Sequence, residues 1–182
     1  MVFPNVSSRS EILRMVYVSP DSVTASDGRE RDIKDRQDIK TAFAGQGFVY
    51  GPYFNEANEY IVCYSAPVYQ NGSIAGVLCI EKDGYIFSSI IQGLQFVDSG
   101  ESYMINAEGT DIAVSRREHV EWVDSQYNAE KILEEKEDPV TRSIIELERN
   151  GLDGKSGRGT YCWEDGLCYL FYAPSPPPAG CC

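Results

Sequence analysis

Val16-Tyr17-Val18 turns through Asp21 into Val23-Thr24-Ala25, and the chain later reaches Tyr64-Ser65-Ala66-Pro67. The same order returns as Tyr103-Met104-Ile105, Glu108-Gly109, Ile112-Ala113-Val114 and then Phe171-Tyr172-Ala173-Pro174. Each copy reads as a strand pair about a small polar turn, a helical stretch, and a strand closing on an aromatic residue and Ala-Pro. A repeat of this kind predicts an α+β chain of two tandem modules, each an antiparallel sheet with flanking helices. The spacing places the modules at 1–92 and 93–182, with the boundary near Gly93.

The punctuation between the repeated pieces fixes the other elements. Ser8-Arg9-Ser10-Glu11 fits a capping box and predicts a short helix before the first strand. Asp35 is placed to cap a helix whose Ile39, Ala42 and Phe43 share one face, with Gly45 ending it. Three antiparallel strands follow at 47–54, 59–68 and 73–81, the last two joined through Asn71-Gly72. Pro67 marks an edge or a strand end. Ile86, Ile90 and Leu94 recur at helical spacing and predict a linker helix over 85–94. In the second module, helices are expected over 125–136 and 140–149, with Asp138-Pro139 as N-cap and first-turn proline and Gly151 as the stop. A closing hairpin takes 159–163 and 167–173. The first copy has a further strand after its Ala-Pro and the second does not, so the second module is expected to lack its last strand, as in a piece excised from a longer protein.

Composition excludes several classes of function. The chain has 182 residues, 42% of them apolar, enough to bury a core. Twenty-eight acidic against sixteen basic side chains give a formal charge of -12. That sign repels phosphate backbones and anionic membranes, so nucleic acid is not an expected partner. Apolar runs such as 74–80 have strand length, and a soluble segment is expected. No catalytic motif is evident. Gly154-Lys155-Ser156 lacks the earlier glycine of a phosphate loop, Arg149 standing in its place, and it precedes a strand. His119 is the only histidine, set among Arg116, Arg117 and Glu118, which favours a surface position. Six cysteines without Cys-x-x-Cys spacing make a zinc site improbable. Neither an enzyme nor a metal or other cofactor is expected.

The cysteines leave two readings open. A three-residue loop at 164–166 would set Cys162 opposite Cys168, and one at 70–72 would set Cys63 opposite Cys79. A two-residue Asn71-Gly72 turn would put Cys63 and Cys79 on opposite faces. In the other reading they are small hydrophobes in strand cores. Cys181 and Cys182 are either reactive thiols or merely terminal.

Asp32-x-x-Asp35-Arg36-Gln37-Asp38-Ile39-Lys40, Gly51-Pro52-Tyr53-Phe54-Asn55-Glu56, Ala66-Pro67-Val68-Tyr69 and Gly76-Val77-Leu78-Cys79-Ile80-Glu81 follow one another in that order. Together they resemble the double Cache family of extracellular sensor domains, over about residues 16–174. The polar turn of that family's second module has its counterpart in Asn106-Ala107-Glu108-Gly109. The resemblance implies two PAS-like modules in the extracellular or periplasmic part of a bacterial plasma-membrane receptor, a chemoreceptor or sensor kinase. It implies a homodimer as the receptor assembly, and a membrane reached only through segments missing from this chain. A small molecule such as an amino acid or amine would bind the first, membrane-distal module.

The site residues carried over by that resemblance are Arg36, Asp38, Ile39, Tyr53, Asn55 and Glu81. Arg36 stands where amino-acid-binding members place an arginine on the ligand carboxylate, and a guanidinium clamps a carboxylate through paired hydrogen bonds. Asp38 and Ile39 stand where Trp and Tyr occur in those members, Asn55 where an Asp occurs, and Glu81 where the closing Asp occurs; Tyr53 matches their tyrosine. The extra acid at Asp38 disfavours a second anionic group. Without a ligand role, Arg36 would form a salt bridge to Asp32 or Asp35, and Tyr53 and Tyr64 would be strand residues in the core. An adhesion or protein-binding module is the alternative function.

Overall fold

The computed structural model describes residues 12–94, 100–135, 137–163 and 166–175. The capping box at 8–11, and Cys181 and Cys182, lie outside the described residues. Two compact units divide the chain between Ile90 and Ile91.

The first unit is a five-stranded antiparallel sheet in the order β2-β1-β5-β4-β3. Its elements are β1 (Ile12–Val18), β2 (Val23–Ala25), α1 (Gln37–Phe43), β3 (Phe48–Phe54), β4 (Tyr60–Gln70) and β5 (Ser73–Asp83). Alternation decides which residues go inward. Val16 and Val18 on β1, Ile61 and Cys63 on β4, and Val77 and Cys79 on β5 are fully or almost fully buried and pack with Ile39 and Ala42 of α1. Strand period two and helical spacing thus meet in one core. Gly45 ends α1 with φ of 94° as expected, but Asp35 does not cap it. Arg36 occupies the N-cap position in an extended conformation without a side-chain cap bond, and Asp35 pairs forward with Lys40 at 3.1 Å. The chain is held there by Arg36, whose side chain turns inward and leaves Asp35 in water.

Two bulges set what faces α1. The β4–β5 turn is the two-residue Asn71-Gly72 turn, both with positive φ, as a primed hairpin turn requires. Ala75 is then extra: Tyr69 pairs with Ile74 and Val68 with Gly76. That shift corrects the expectation for a two-residue turn. Cys63 pairs with Glu81 and Ser65 with Cys79, so the two cysteines share a face. Only glycine fits at 76, because a Cβ would stand 2.6 Å from the backbone carbonyl oxygen of Val18 as well as 2.5 Å from the Tyr17 hydroxyl. The second bulge, on β3, lies between Tyr50, opposite Cys63, and Tyr53, opposite Ile61. Gly51 supplies φ of 97° there, and Pro52 sits where no ladder bond is required. Tyr50 and Tyr53, three positions apart, therefore face the same way, with ring centroids 5.1 Å apart. Pro67 lies beyond Ser65, where β3 stops pairing with β4, so the strand is locally an edge.

Helix α2 (Ile86–Ile91) falls within the expected linker. The second unit has β6 (Tyr103–Ile105), β7 (Asp111–Val114), a 3-10 turn (Arg117–His119), α3 (Val120–Asp124), α4 (Ala129–Glu135), α5 (Pro139–Leu152), β8 (Gly157–Trp163) and β9 (Gly166–Tyr172). Asn106 Oδ1 accepts from the amides of Glu108 and Thr110 and builds the polar turn between β6 and β7. The helix expected over 125–136 is broken: Gln126 is left-handed, the Tyr127 carbonyl accepts from Asp111 N at 2.8 Å, and Asn128 caps α4 through Lys131 N. Pairing with β7 outweighs continuation of the helix; Lys136 lies outside the described residues. Asp138 caps α5 as expected, accepting from Thr141 N at 2.9 Å. Gly151 is not its stop, since the helix runs to Leu152 and the chain turns at Gly154, φ 80°.

Trp163 pairs with Gly166, so Gly166 belongs to β9 and not to a three-residue loop. Cys162 then pairs with Leu167 and Cys168 with Tyr161, on opposite faces, which corrects the proposed Cys162–Cys168 juxtaposition. Among the described residues the second unit's strands form two separate ribbons, β6–β7 and β8–β9, where one sheet was expected. Its middle stretch went to helices α3 to α5, of which α5 packs on β8 and β9. Among the described residues no helix is long and apolar enough to cross a membrane.

Candidate ligand-binding site

The polar residues of the first unit converge on the sheet face beneath α1. Arg36, just before the helix, lays its guanidinium over the Tyr50 ring at 4.9 Å. Its Nε donates to Asp38 Oδ1 at 2.6 Å, its Nη2 to Asp38 Oδ2 at 2.8 Å, and its Nη1 to the Tyr53 hydroxyl at 2.9 Å. Asp38, in the first turn of α1, is fully buried, and Ser65 Oγ on β4 also donates to its Oδ2. A carboxylate in a helix's first turn is favoured by the backbone dipole, and here it is also held by a fork of charge-assisted bonds. Burial draws the Arg36 pKa down, but the Asp38 bonds and neighbouring groups more than offset this, and it stands above its ordinary value. Burial pushes Tyr53 up.

Arg36 thus pairs with neither Asp32 nor Asp35 but with Asp38, two positions on and turned into the sheet. Tyr53 is both a strand residue and a partner of Arg36, and Tyr64 lies partly exposed. Ile39 is fully buried in the apolar core behind this cluster. Asn55 builds the β3–β4 turn: its Oδ1 accepts from the amides of Ala57 and Glu59, each at 2.9 Å, and its Nδ2 donates to Glu59 Oε2. Glu81 forms a second cluster further along the same face. Arg14 Nε donates to its Oε2 at 2.5 Å, Arg14 Nη2 meets Glu59 at 2.7 Å, and Arg31 stands 3.9 Å from Oε1. The Arg14 bond holds Glu59 below the usual carboxylate range.

Cys63 and Cys79 join the two clusters. Cys63 is opposite Glu81 in register, and Arg36 Nη2 lies 3.3 Å from Cys79 Sγ. Sequence reasoning did not bring Arg14, Tyr50, Ser65 or the cysteines to this site. Ser65 was detectable as the polar member of the inward row Ile61, Cys63, Ser65. The others depend on the bulges. In the second unit, an open groove between α4 and α5 is lined by Glu130, Glu134, Ile145 and Arg149 among others. Arg149 is already held by Glu130 at 2.7 Å there. The convergent polar groups at Arg36 make the sheet face the better candidate.

Among the described residues no group of three or more His, Cys, Asp or Glu side chains is placed to hold a metal ion. No family model matches the chain, and no curated protein matches it. Solved structures do. The extracellular domain of the putative histidine kinase mmHK1S-Z3 is similar with a TM-score of 0.63 at 12% identity, over 93% of this chain and 70% of that one. The ligand-binding domain of the Campylobacter jejuni chemoreceptor Tlp3, solved in complex with 4-methylisoleucine, is similar with a TM-score of 0.58 at 15% identity. That match covers 86% of this chain, which spans 58% of the Tlp3 domain. The fold is that of extracellular sensor domains of histidine kinases and chemoreceptors. At the level of fold, the resemblance to Cache sensor domains holds.

Proposed function

We propose that this chain is the extracellular or periplasmic ligand-sensing part of a bacterial transmembrane receptor, a chemoreceptor or a sensor kinase. Of the expected amino acids and amines, it binds a zwitterionic amino acid in the first unit, and it catalyses nothing. The observation that carries this reading is the buried Arg36–Asp38–Tyr53 cluster on a sensor-domain fold. Separating a buried ion pair is costly unless both charges find new partners. A zwitterionic amino acid offers both, its carboxylate to Arg36 and its ammonium to Asp38, whereas a simple carboxylate strands Asp38 and a simple amine strands Arg36. Asn55 and Glu81 shape the far end of the same face. In this reading the second unit is the membrane-proximal PAS-like module and couples the first to membrane segments outside this sequence, within a receptor homodimer. Differential affinity for two packings of the first unit is the transmitted quantity.

Thermal unfolding against a panel of amino acids, amines and small carboxylates tests the reading. A saturable rise in Tm with zwitterions, lost in Arg36→Met/Asp38→Leu, is the expected outcome, because a ligand of the folded state stabilises it by about 2.7 kcal/mol at one hundred times its Kd. A rise with carboxylates alone overturns the zwitterion assignment. One observation favours a protein-binding module instead: Leu167, Tyr169 and Phe171 form an exposed row along β9, each at least 60% accessible.

A further inference from the structure

Cys63 and Cys79 have no part in the proposed ligand chemistry, yet they lie on one face of adjacent strands against a guanidinium. Both are fully buried free thiols on one face of adjacent strands, diagonal to each other across the Cys63–Glu81 and Ser65–Cys79 rungs. Register sets the two side chains next to each other beneath α1. Cys79 also receives the Arg36 Nη2 at 3.3 Å, while the Tyr53 hydroxyl lies 3.8 Å from Cys63 Sγ. A guanidinium beside one sulfur and not the other favours the thiolate at Cys79. The neighbouring Cys63, then Ser65 and Arg36, lower Cys79 against the effect of burial, and the same contact between the thiols pushes Cys63 up. One sulfur is thus set up as nucleophile and its neighbour as the resolving thiol.

We infer that Cys63 and Cys79 are a modification site, a dithiol that a small-molecule disulfide converts to an intrachain bond, with Arg36 positioning the attacking sulfur. The Cys79 thiolate attacks one sulfur of the oxidant RSSR, forming a mixed disulfide and releasing RS⁻. Cys63 then gives up its proton, its sulfur attacks Cys79 and the S–S bond to R breaks. The second RS⁻ leaves, and the two protons, one lost from each cysteine, complete two RSH. The protein loses two electrons and two protons, and RSSR gains them. Diagonal Cα atoms stand about 7–8 Å apart in a regular sheet, and disulfides span up to roughly 6.8 Å, so bond formation draws β4 and β5 slightly together. It also removes the thiolate beside Arg36, which couples this chemistry to the Asp38 pair. The oxidation itself stands whether or not a ligand binds there.

The test uses the full chain with Cys162, Cys168, Cys181 and Cys182 changed to Ser, folded and treated with hydroxyethyl disulfide. The expected result is joint loss of both thiols, a mass lower by two hydrogens with no adduct retained, and a Cys63–Cys79 cross-linked peptide that reductant separates. Adding Cys63→Ser halts the reaction at the Cys79 adduct. Arg36→Gln moves the pH of half-maximal reaction upward, a readout that a purely structural role of Arg36 does not move. The inference is overturned by a stable adduct without the cross-link, by thiols that react only in urea, or by a pH profile unchanged in Arg36→Gln.

Discussion

Two buried acidic sites, one in each unit, handle the same physical problem in opposite ways. In the first unit Asp38 is fully buried but sits in the fork of Arg36, and Glu81 sits against Arg14. In the second, Asp111 on β7 is 5% exposed and shares its surroundings with Glu148 of α5 and with Glu101. Tyr103 donates to Glu148 at 2.8 Å, but among the described residues neither Asp111 nor Glu148 has a cationic partner. Burial, then the charges of Glu148 and Glu101, push Asp111 up to about 7. Burial also raises Glu148. A compensated site depends on both partners being present, and an uncompensated one depends on pH.

The sharpest way to break the comparison is Asp38→Ala. It leaves Arg36 buried without its carboxylate and is expected to cost about 3–5 kcal/mol in urea unfolding, with much of that loss recovered in Arg36→Met/Asp38→Leu. A loss under about 1 kcal/mol for Asp38→Ala would show that Arg36 swings out to water.

The second test is pH. Asp111 binds its proton more tightly folded than unfolded, so its contribution is full below the unfolded value near 3.8 and is lost as pH rises through about 7. Stability is expected to fall by about 2–4 kcal/mol across that window. Asp111→Asn should flatten the profile, and hydrogen exchange should place the change at β6 and β7. The first unit has the opposite sign: the Arg14 bond lowers Glu59 and the Arg31 bond lowers Asp27, so these acids favour the unfolded state as pH falls. A wild-type profile that Asp111→Asn leaves unchanged removes the contrast. The smallest expected effect is that of Asp35→Ala, within about 0.5 kcal/mol, because its pair with Lys40 is solvent-exposed. A larger loss would restore Asp35 as the cap of α1.

Much of the first unit was legible because its signals are local. Asn71-Gly72 marked the hairpin, the Ile39 and Ala42 spacing marked the buried helix face, and alternation marked the strand interiors. The partner of Arg36 was misread because Asp32, Asp35 and Asp38 all lie within four positions of it, and which of them it meets is decided by the turn of chain into α1. The helix over 125–136 failed for a related reason. Nothing local marks Gln126 as left-handed; the demand comes from β7, whose Asp111 amide takes the Tyr127 carbonyl. The cysteine pairing failed because alternation counts positions, and one unpaired residue reverses the count.

That extra residue, Ala75, bears on how relatives of this chain can be found. A homologue without it could close the same hairpin regularly and set its cysteine against the same serine, yet the two cysteines would be one position nearer in the sequence. The Gly51-Pro52 bulge gives the spacing between the two tyrosines the same latitude. A search that demands fixed distances between these residues would reject such relatives, while an alignment free to open a one-residue gap at each bulge would recover them.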